Sequence, residues 1–158
     1  MLSFSGKFLY AADGKGRVNI PAPFRSQLSE DSDNTFHVLM GPNPCLFVYP
    51  REVFFKIAQR LEKKYGSMST PPEQRRFFLQ TMANAHPTRC DQQGRILLPE
   101  EHLRYASIRK EVLIIGAVNK LEFWNPQQYE SFLAEGDLNA QDRVRQFGGV
   151  DREWPWES

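Results

Sequence analysis

The sequence predicts an α+β, β-rich fold made of two tandem halves, and three observations carry that reading. Asp13-Gly-Lys-Gly-Arg17-Val-Asn-Ile-Pro21 and Asp91-Gln-Gln-Gly-Arg95-Ile-Leu-Leu-Pro99 share Asp, Gly, Arg, two apolar positions and Pro in identical spacing. Leu46-Phe-Val48-Tyr49 is echoed by Leu121-Glu-Phe123-Trp124. The first pair is offset by seventy-eight residues and the second by seventy-five, as expected of a duplicated unit whose intervening loop changed by three residues. Finally, apolar residues alternate with polar ones beside these segments, the period of a strand with one buried face.

The elements follow in order. Phe4, Gly6, Phe8 and Tyr10 alternate with polar or small residues and predict a strand. The glycines of Asp13–Arg17 turn the chain, and Val18 and Ile20 resume the alternation. Pro21 suits a helix start, because its missing N–H costs nothing there, and predicts a short helix to Leu28 with Phe24 and Leu28 on one face. Phe36–Met40 and Cys45–Tyr49 flank Gly41-Pro-Asn-Pro as a strand pair. Val53, Phe54, Ile57, Ala58 and Leu61 have helical spacing. Gly66–Pro72 breaks that helix. Thr70, Pro71 and Glu73 then form a capping-box pattern, predicting a helix over Glu73–Ala83 that buries Phe77, Phe78 and Met82. The second copy gives a weak strand ending near Cys90, a turn, and a strand holding Ile96 and Leu98. Pro99 opens a helix with Glu100 and Glu101 in its first turn, where they favour the helix dipole. Val112–Val118 and Leu121–Trp124 repeat the paired strands, and Asn125-Pro126 starts a last helix. Beyond about residue 134 the periodicity is lost, and Gly148–Ser158 reads as a tail.

Composition narrows the function classes. At 158 residues, 41% apolar and 25% charged, the chain is globular rather than disordered. Halves of roughly 60 to 75 residues rarely bury enough surface alone, so pairing of the halves, oligomerisation, or both are expected. The net charge of +1 means that any basic surface must come from local clustering. No apolar run reaches membrane-spanning length, and no basic-then-apolar leader opens the chain. Cys45 and Cys90 make no disulfide framework, so we expect a reducing cytoplasm and two apolar fillers. There is no phosphate loop and no Gly-x-Ser-x-Gly elbow. His37, His86 and His102 lack metal-ligand spacing. We therefore expect no enzyme, no cofactor, no metal, no membrane and no small-molecule substrate.

The chemistry concentrates in the turns. Asp13 and Asp91 suit side-chain acceptance of N–H groups two or more residues on, and Gly16 and Gly94 suit a backbone conformation other residues avoid. Those features explain four residues without any function. Arg17 and Arg95 are left over: they either brace the turn by pairing with the Asp or project toward phosphates and guanine edges, and one role does not exclude the other. Lys7, Lys15, Arg17 and Arg25 gather around the first turn in sequence, and Arg89, Arg95, Arg104, Arg109 and Lys110 around the second. A charge cluster is ordinarily a solvated face, but matched basic turns suit a two-fold ligand such as a DNA duplex.

Asp13-x-Lys15-Gly16-Arg17-x-x-x-Pro21 with its Phe24–Arg25 helix, Asp91-x-x-Gly94-Arg95-x-x-x-Pro99, and the connector Pro71-Pro72-Glu73-x-Arg75-Arg76-Phe77 together resemble the MraZ family over residues 1 to about 133. The resemblance implies two tandem AbrB-like halves that form one pseudo-two-fold interlocked β-barrel with short flanking helices. Residues 3–62 and 81–133 would be the repeats, 63–80 a helical connector and 134–158 a C-terminal tail. It further implies a sequence-specific, cytoplasmic and nucleoid-associated DNA-binding regulator. Such a protein represses its own division and cell-wall gene cluster and engages repeated promoter boxes on double-stranded DNA as a ring-shaped homo-oligomer. Carried over by position, the DNA contacts are Asp13, Lys15 and Arg17 with Asp91 and Arg95, set by Gly16 and Gly94 and joined by Arg25. Gln93 replaces Lys15 in the second copy, and Glu100 and Glu101 replace Ala22 and Pro23, which makes that site less basic. The Trp154-Pro-Trp156 ending has no match in the pattern. The alternative is a structural or protein-interaction assembly module, with Phe47, Tyr49, Phe123 and Trp124 as its contacts.

Overall fold

The computed structural model describes residues 2–136 together with 139, 141, 142 and 145. The expected C-terminal tail falls largely outside the described residues. In chain order the elements are β1 (Lys7–Ala11), β2 (Arg17–Asn19), α1 (Ala22–Arg25), β3 (Thr35–Met40), β4 (Leu46–Pro50), α2 (Arg51–Tyr65), α3 (Pro72–Asn84), β5 (His86–Arg89), β6 (Arg95–Leu97), α4 (Glu100–Tyr105), β7 (Glu111–Gly116), β8 (Leu121–Trp124) and α5 (Pro126–Glu135). A single 3-10 turn, Glu30–Ser32, precedes β3.

Six strands form one antiparallel sheet in the order β1-β7-β8-β4-β3-β5, and β2 pairs with β6 as a separate two-stranded ribbon. Exchanging the two halves reverses the sheet order onto itself, so the duplication in sequence is a pseudo-two-fold in space. The first strand of each half pairs with the third strand of the other: β1 with β7 and β5 with β3. The registers locate the axis. In the ribbon Val18 faces Ile96, and in the sheet centre Phe47 faces Glu122, each pair consisting of equivalent positions of the two copies. The strands are thus exchanged between halves, but the sheet ends in two edges, β1 and β5. It is open rather than the closed barrel expected: the ribbon meets those edges through the isolated Ala12–Val18 bridge and a bond from the Leu97 N–H to Thr88 Oγ1 of β5, not through a continuous ladder.

The core lies between the inner face of the sheet and a cover made of the ribbon, α1 and α4. Phe36, Val38, Leu46, Val48, Val112, Ile114, Leu121 and Phe123 point inward from the sheet and are essentially inaccessible. Val18, Ile20, Ile96 and Leu98 meet them from the ribbon. Phe24 of α1 packs edge-on to Phe4 and Phe8, with ring centroids 5.2 Å apart in both pairs. Phe123 and Trp124, candidates for external contacts, are buried instead. Cys45 is buried beside Glu122, and burial pushes its thiol up to about 12, so it is an apolar filler and not a nucleophile.

Three local expectations need correction. The first helix is shorter than Pro21–Leu28: α1 ends at Arg25, and the N–H groups of Gln27 and Leu28 bond three residues back, to Phe24 and Arg25, in tight turns. No capping box forms at α3. The residue before a proline is pushed to extended backbone, so Pro71 (φ −58, ψ 148) becomes the N-cap and Thr70 lies one residue outside, bonded to Ser67. Nor does α3 fully bury its apolar face. Phe78 and Met82 are half-buried where the helix packs on α2 and β3, but Phe77 is 52% exposed beside an open cavity of about 300 Å³ that it lines with Leu39, Met40, Gln80, Thr81, Asn84 and Tyr105.

Phe24 anchors the cover to the sheet. Phe24→Ala should lower unfolding free energy by about 3–5 kcal/mol in urea denaturation, with the midpoint moving and the slope unchanged. A loss under about 1 kcal/mol would mean that the aromatic cluster is not part of the cooperative core.

Candidate nucleic-acid interface

The ribbon is positioned by hydrogen bonds that cross between the halves. The Ile20 N–H donates to the Gly94 carbonyl and the Leu98 N–H to the Gly16 carbonyl, both at 2.9 Å. With Val18, Ile20, Ile96 and Leu98 committed to the core, the period-two alternation leaves the opposite face to Arg17, Asn19, Arg95 and Leu97. Across the strands Arg17 stands opposite Leu97, and Asn19 opposite Arg95. Lys15 and Gln93 are exposed at the two turn tips.

Each turn is closed in the same way. Asp13 Oδ1 accepts the N–H groups of Lys15 (2.9 Å) and Arg17 (2.8 Å), and Asp91 Oδ1 accepts those of Gln93 and Arg95, both at 2.9 Å. Gly16 and Gly94 have φ of +85 and +77, and each is also pressed against the opposite half. A Cβ on Gly16 would sit 2.6 Å from the Leu98 carbonyl oxygen, and one on Gly94 2.6 Å from the Arg25 guanidinium carbon. The left-handed φ demands glycine at both positions, whereas the close approach is to fixed backbone only at Gly16, the Arg25 side chain over Gly94 being free to shift.

The brace and the projecting cation coexist. Arg17 Nη1 is 3.6 Å from Asp13 Oδ2, and Arg95 Nε is 2.8 Å from Asp91 Oδ2. Both guanidinium groups remain partly exposed, so each Asp aims an arginine without enclosing it. The Arg17 N–H is the main cause that holds the Asp13 carboxyl below its ordinary value, with further help from the Arg17 and Arg95 charges. The Arg95 N–H does the same for Asp91, joined by the Arg95 side chain. Both carboxylates are therefore charged at neutral pH.

The grouping of basic residues differs from their order in sequence, a consequence of strand exchange. Arg25 does not sit beside the first turn. Its Nε donates to the Ile20 carbonyl at 2.9 Å and its guanidinium covers Gly94, in a cleft of about 560 Å³ shared with Asn34, Cys90 and Asp91. Conversely, Lys110 adjoins the first turn, its carbonyl accepting the Ala12 N–H at 2.9 Å. Lys7 begins β1, at the end away from the turn. Arg89 pairs with Asp33 at 3.2 Å and Arg104 with Glu100 at 3.7 Å. Sequence reasoning brought Asp13, Lys15, Gly16, Arg17, Asp91, Gly94 and Arg95 to one surface but overlooked Asn19 and Leu97. The alternation with Val18, Ile20, Ile96 and Leu98 could have found them.

Among the described residues no group of three His, Cys, Asp or Glu side chains could hold a metal ion, and no helix is long and apolar enough to cross a membrane. Fold and surface define a tandem, strand-exchanged α+β protein that displays two braced arginines on a two-fold ribbon. The sequence profile of the family described as "MraZ protein, putative antitoxin-like" matches residues 3–77 and again residues 81–147. A protein of Finegoldia magna named Transcriptional regulator MraZ is 34% identical over 149 residues, 94% of this chain and 99% of its own length. Proteins of the same name from Nocardia farcinica (36% over 148 residues; 93% and 99%) and Halothermothrix orenii (37% over 141 residues; 88% and 92%) are similar to it as well. The chain belongs to the MraZ family. The name these relatives carry is that of a regulator and not of an enzyme, in agreement with the sequence reading.

Two outcomes test the turn geometry. Gly16→Ala should destabilise the protein by about 1–3 kcal/mol in chemical denaturation through its left-handed φ alone, with the Leu98 clash added, whereas Gly14→Ala, with nothing within 4 Å, should change little. Acid dependence follows from the two depressed carboxyls. Their stabilisation is complete above the unfolded value of about 3.9 and is lost as pH falls through the lower folded values. Between about pH 5 and pH 3 the melting temperature of Asp13→Asn/Asp91→Asn should therefore fall less than that of the unmodified protein. Equal falls would mean that the two carboxylates do not brace the turns.

Proposed function

We propose that this chain is a sequence-specific DNA-binding transcriptional regulator whose β2–β6 ribbon enters the major groove. The observation that carries the reading is the ribbon's outward face, on which two arginines, each braced by an Asp at its own turn, are related by the pseudo-two-fold. The major groove, about 12 Å wide, admits a two-stranded ribbon. In that setting Arg17 and Arg95 suit guanine O6 and N7, Asn19 suits adenine, Lys15 suits phosphate, and Leu97 offers apolar contact to a thymine methyl. Arg25, on the flank of the second turn, suits a backbone phosphate. The relatives' name, Transcriptional regulator MraZ, supports the same class of activity.

The finer reading is a cytoplasmic, nucleoid-associated repressor of its own division and cell-wall gene cluster that binds repeated promoter boxes as a ring. One ribbon makes few contacts, and several copies on repeated boxes would gain avidity of roughly 10² to 10⁴ without any new contact. Exposed Phe55 on α2 and exposed Phe77 and Leu79 on α3 support association between copies.

Fluorescence anisotropy tests the reading, with DNA from immediately upstream of the gene, a scrambled duplex and Arg17→Ala/Arg95→Ala at two salt concentrations. We expect preference for the upstream duplex, weaker binding at higher salt, and a loss of about 1–3 kcal/mol per engaged arginine that reads a base. Unaltered binding by a folded, normally assembled variant would remove the ribbon from the interface. No binding at either salt would leave the assembly module.

A further inference from the structure

The loop entering β7 lies beside the first turn although it belongs to the second half. Ile108, 4% exposed, anchors this loop in the core, and its N–H donates to the Leu103 carbonyl at 2.9 Å. The Lys110 carbonyl then accepts the N–H of Ala12, the residue immediately before Asp13. Ala11 faces Glu111 in the β1–β7 ladder, and Ala12 bridges to Val18 of the ribbon. Arg109 and Lys110 are therefore held at the base of the ribbon, both exposed. Among the described residues neither has an acidic partner within 4 Å, and Glu111 pairs with neither of them.

The equivalent place beside the second turn is different. There the Asn34 carbonyl accepts the Cys90 N–H at 2.8 Å, and the residues standing for Arg109 and Lys110 are Asp33 and Asn34. Asp33 is engaged by Arg89. Two cations with no acidic partner among the described residues thus stand at one turn where the other has a neutralised acid and an amide. The tips differ in the same sense, with Lys15 against Gln93. Arg25 over Gly94 returns one cation to the second turn, where the first has Leu103 against Gly16. The balance still favours the first.

We propose that Arg109 and Lys110 complete the DNA-binding surface of the first turn from the opposite half, as phosphate contacts flanking the groove that the ribbon enters. The proposal rests on the ribbon reading above. The two residues lie at the ribbon's base and not on its outward face, so they meet the sugar-phosphate backbone and not base edges. Such contacts carry affinity and salt dependence but no sequence information. They also make the two pseudo-equivalent turns unequal, with the first contributing more phosphate contacts than the second.

The test measures anisotropy against salt concentration on the upstream and scrambled duplexes. It uses Arg109→Gln/Lys110→Gln, Arg17→Ala and, as control, Lys120→Ala. Lys120 lies over the Phe47 ring (4.9 Å), on the sheet face turned away from the core and ribbon. The double variant changes only exposed side chains, and its melting curve should match that of the unmodified protein. We expect its log–log salt slope to shrink by about 0.9 per lost contact, up to about 1.8. Both duplexes should weaken equally, on the order of tenfold near 0.15 M salt, so that their ratio is unchanged. Arg17→Ala should reduce the ratio and Lys120→Ala neither quantity. An unchanged slope in the double variant while Arg17→Ala loses discrimination would overturn this proposal and leave the ribbon reading standing. Loss of discrimination by the double variant would make these residues base readers and refute the phosphate assignment. If Arg17→Ala is also silent, the ribbon reading fails with it.

Discussion

Everything on the candidate surface depends on the antiparallel pairing of β2 with β6 across the pseudo-two-fold. Three residues per strand make a ladder too short to persist alone in water. It is held because Val18, Ile20, Ile96 and Leu98 are buried against the sheet, and because the Ile20 and Leu98 N–H groups bond across to the carbonyls of Gly94 and Gly16. Neither half could hold its own ribbon strand in place, since both the partner strand and the turn contact come from the other copy. Strand exchange in the sheet imposes the same dependence: the backbone ladder of β1 is formed with β7 and that of β5 with β3, each a strand of the other half. Halves that are individually too small for a core thereby share one.

On that frame the Asp–Arg turn fixes a cation near the surface before any ligand arrives. Two backbone N–H groups secure each Asp, so its second oxygen is free to orient the arginine. An arginine already held near one conformation loses less side-chain entropy on binding than a free one. The two copies do so unequally. Arg95 lies within direct hydrogen-bond distance of its Asp, whereas Arg17 stands 3.6 Å away and is more available to a new partner. Combined with Lys15 at the tip, this gives the first turn the stronger claim on an anionic ligand.

Most of the framework was legible in the residues. Gly16 and Gly94 announced turns because no other residue takes their φ cheaply, and Pro21 and Pro99 marked the entries to α1 and α4 by their missing N–H groups. The alternation around Val18 and Ile96 put the right residues in the core. The errors came where two local signals competed or where depth mattered. At Thr70-Pro71-Pro72 the steric demand of the second proline overrode the capping pattern. Phe77 has the spacing of a buried residue, but spacing states which face of a helix is apolar and not whether anything covers it.

The sequence by itself determined the duplication, the two turns, the strands beside them and the residues that brace each arginine, because all of these are governed by φ/ψ preferences, short-range hydrogen bonds and periodicity within about twenty residues. Tertiary structure alone decided which half each strand joins, that the sheet stays open, and which charges flank which turn. Arg25 moved to the second turn and Lys110 to the first because strand exchange carries each segment across the two-fold. No local preference encodes that crossing. It arises from burying two small apolar faces in a single core, a property of the whole chain.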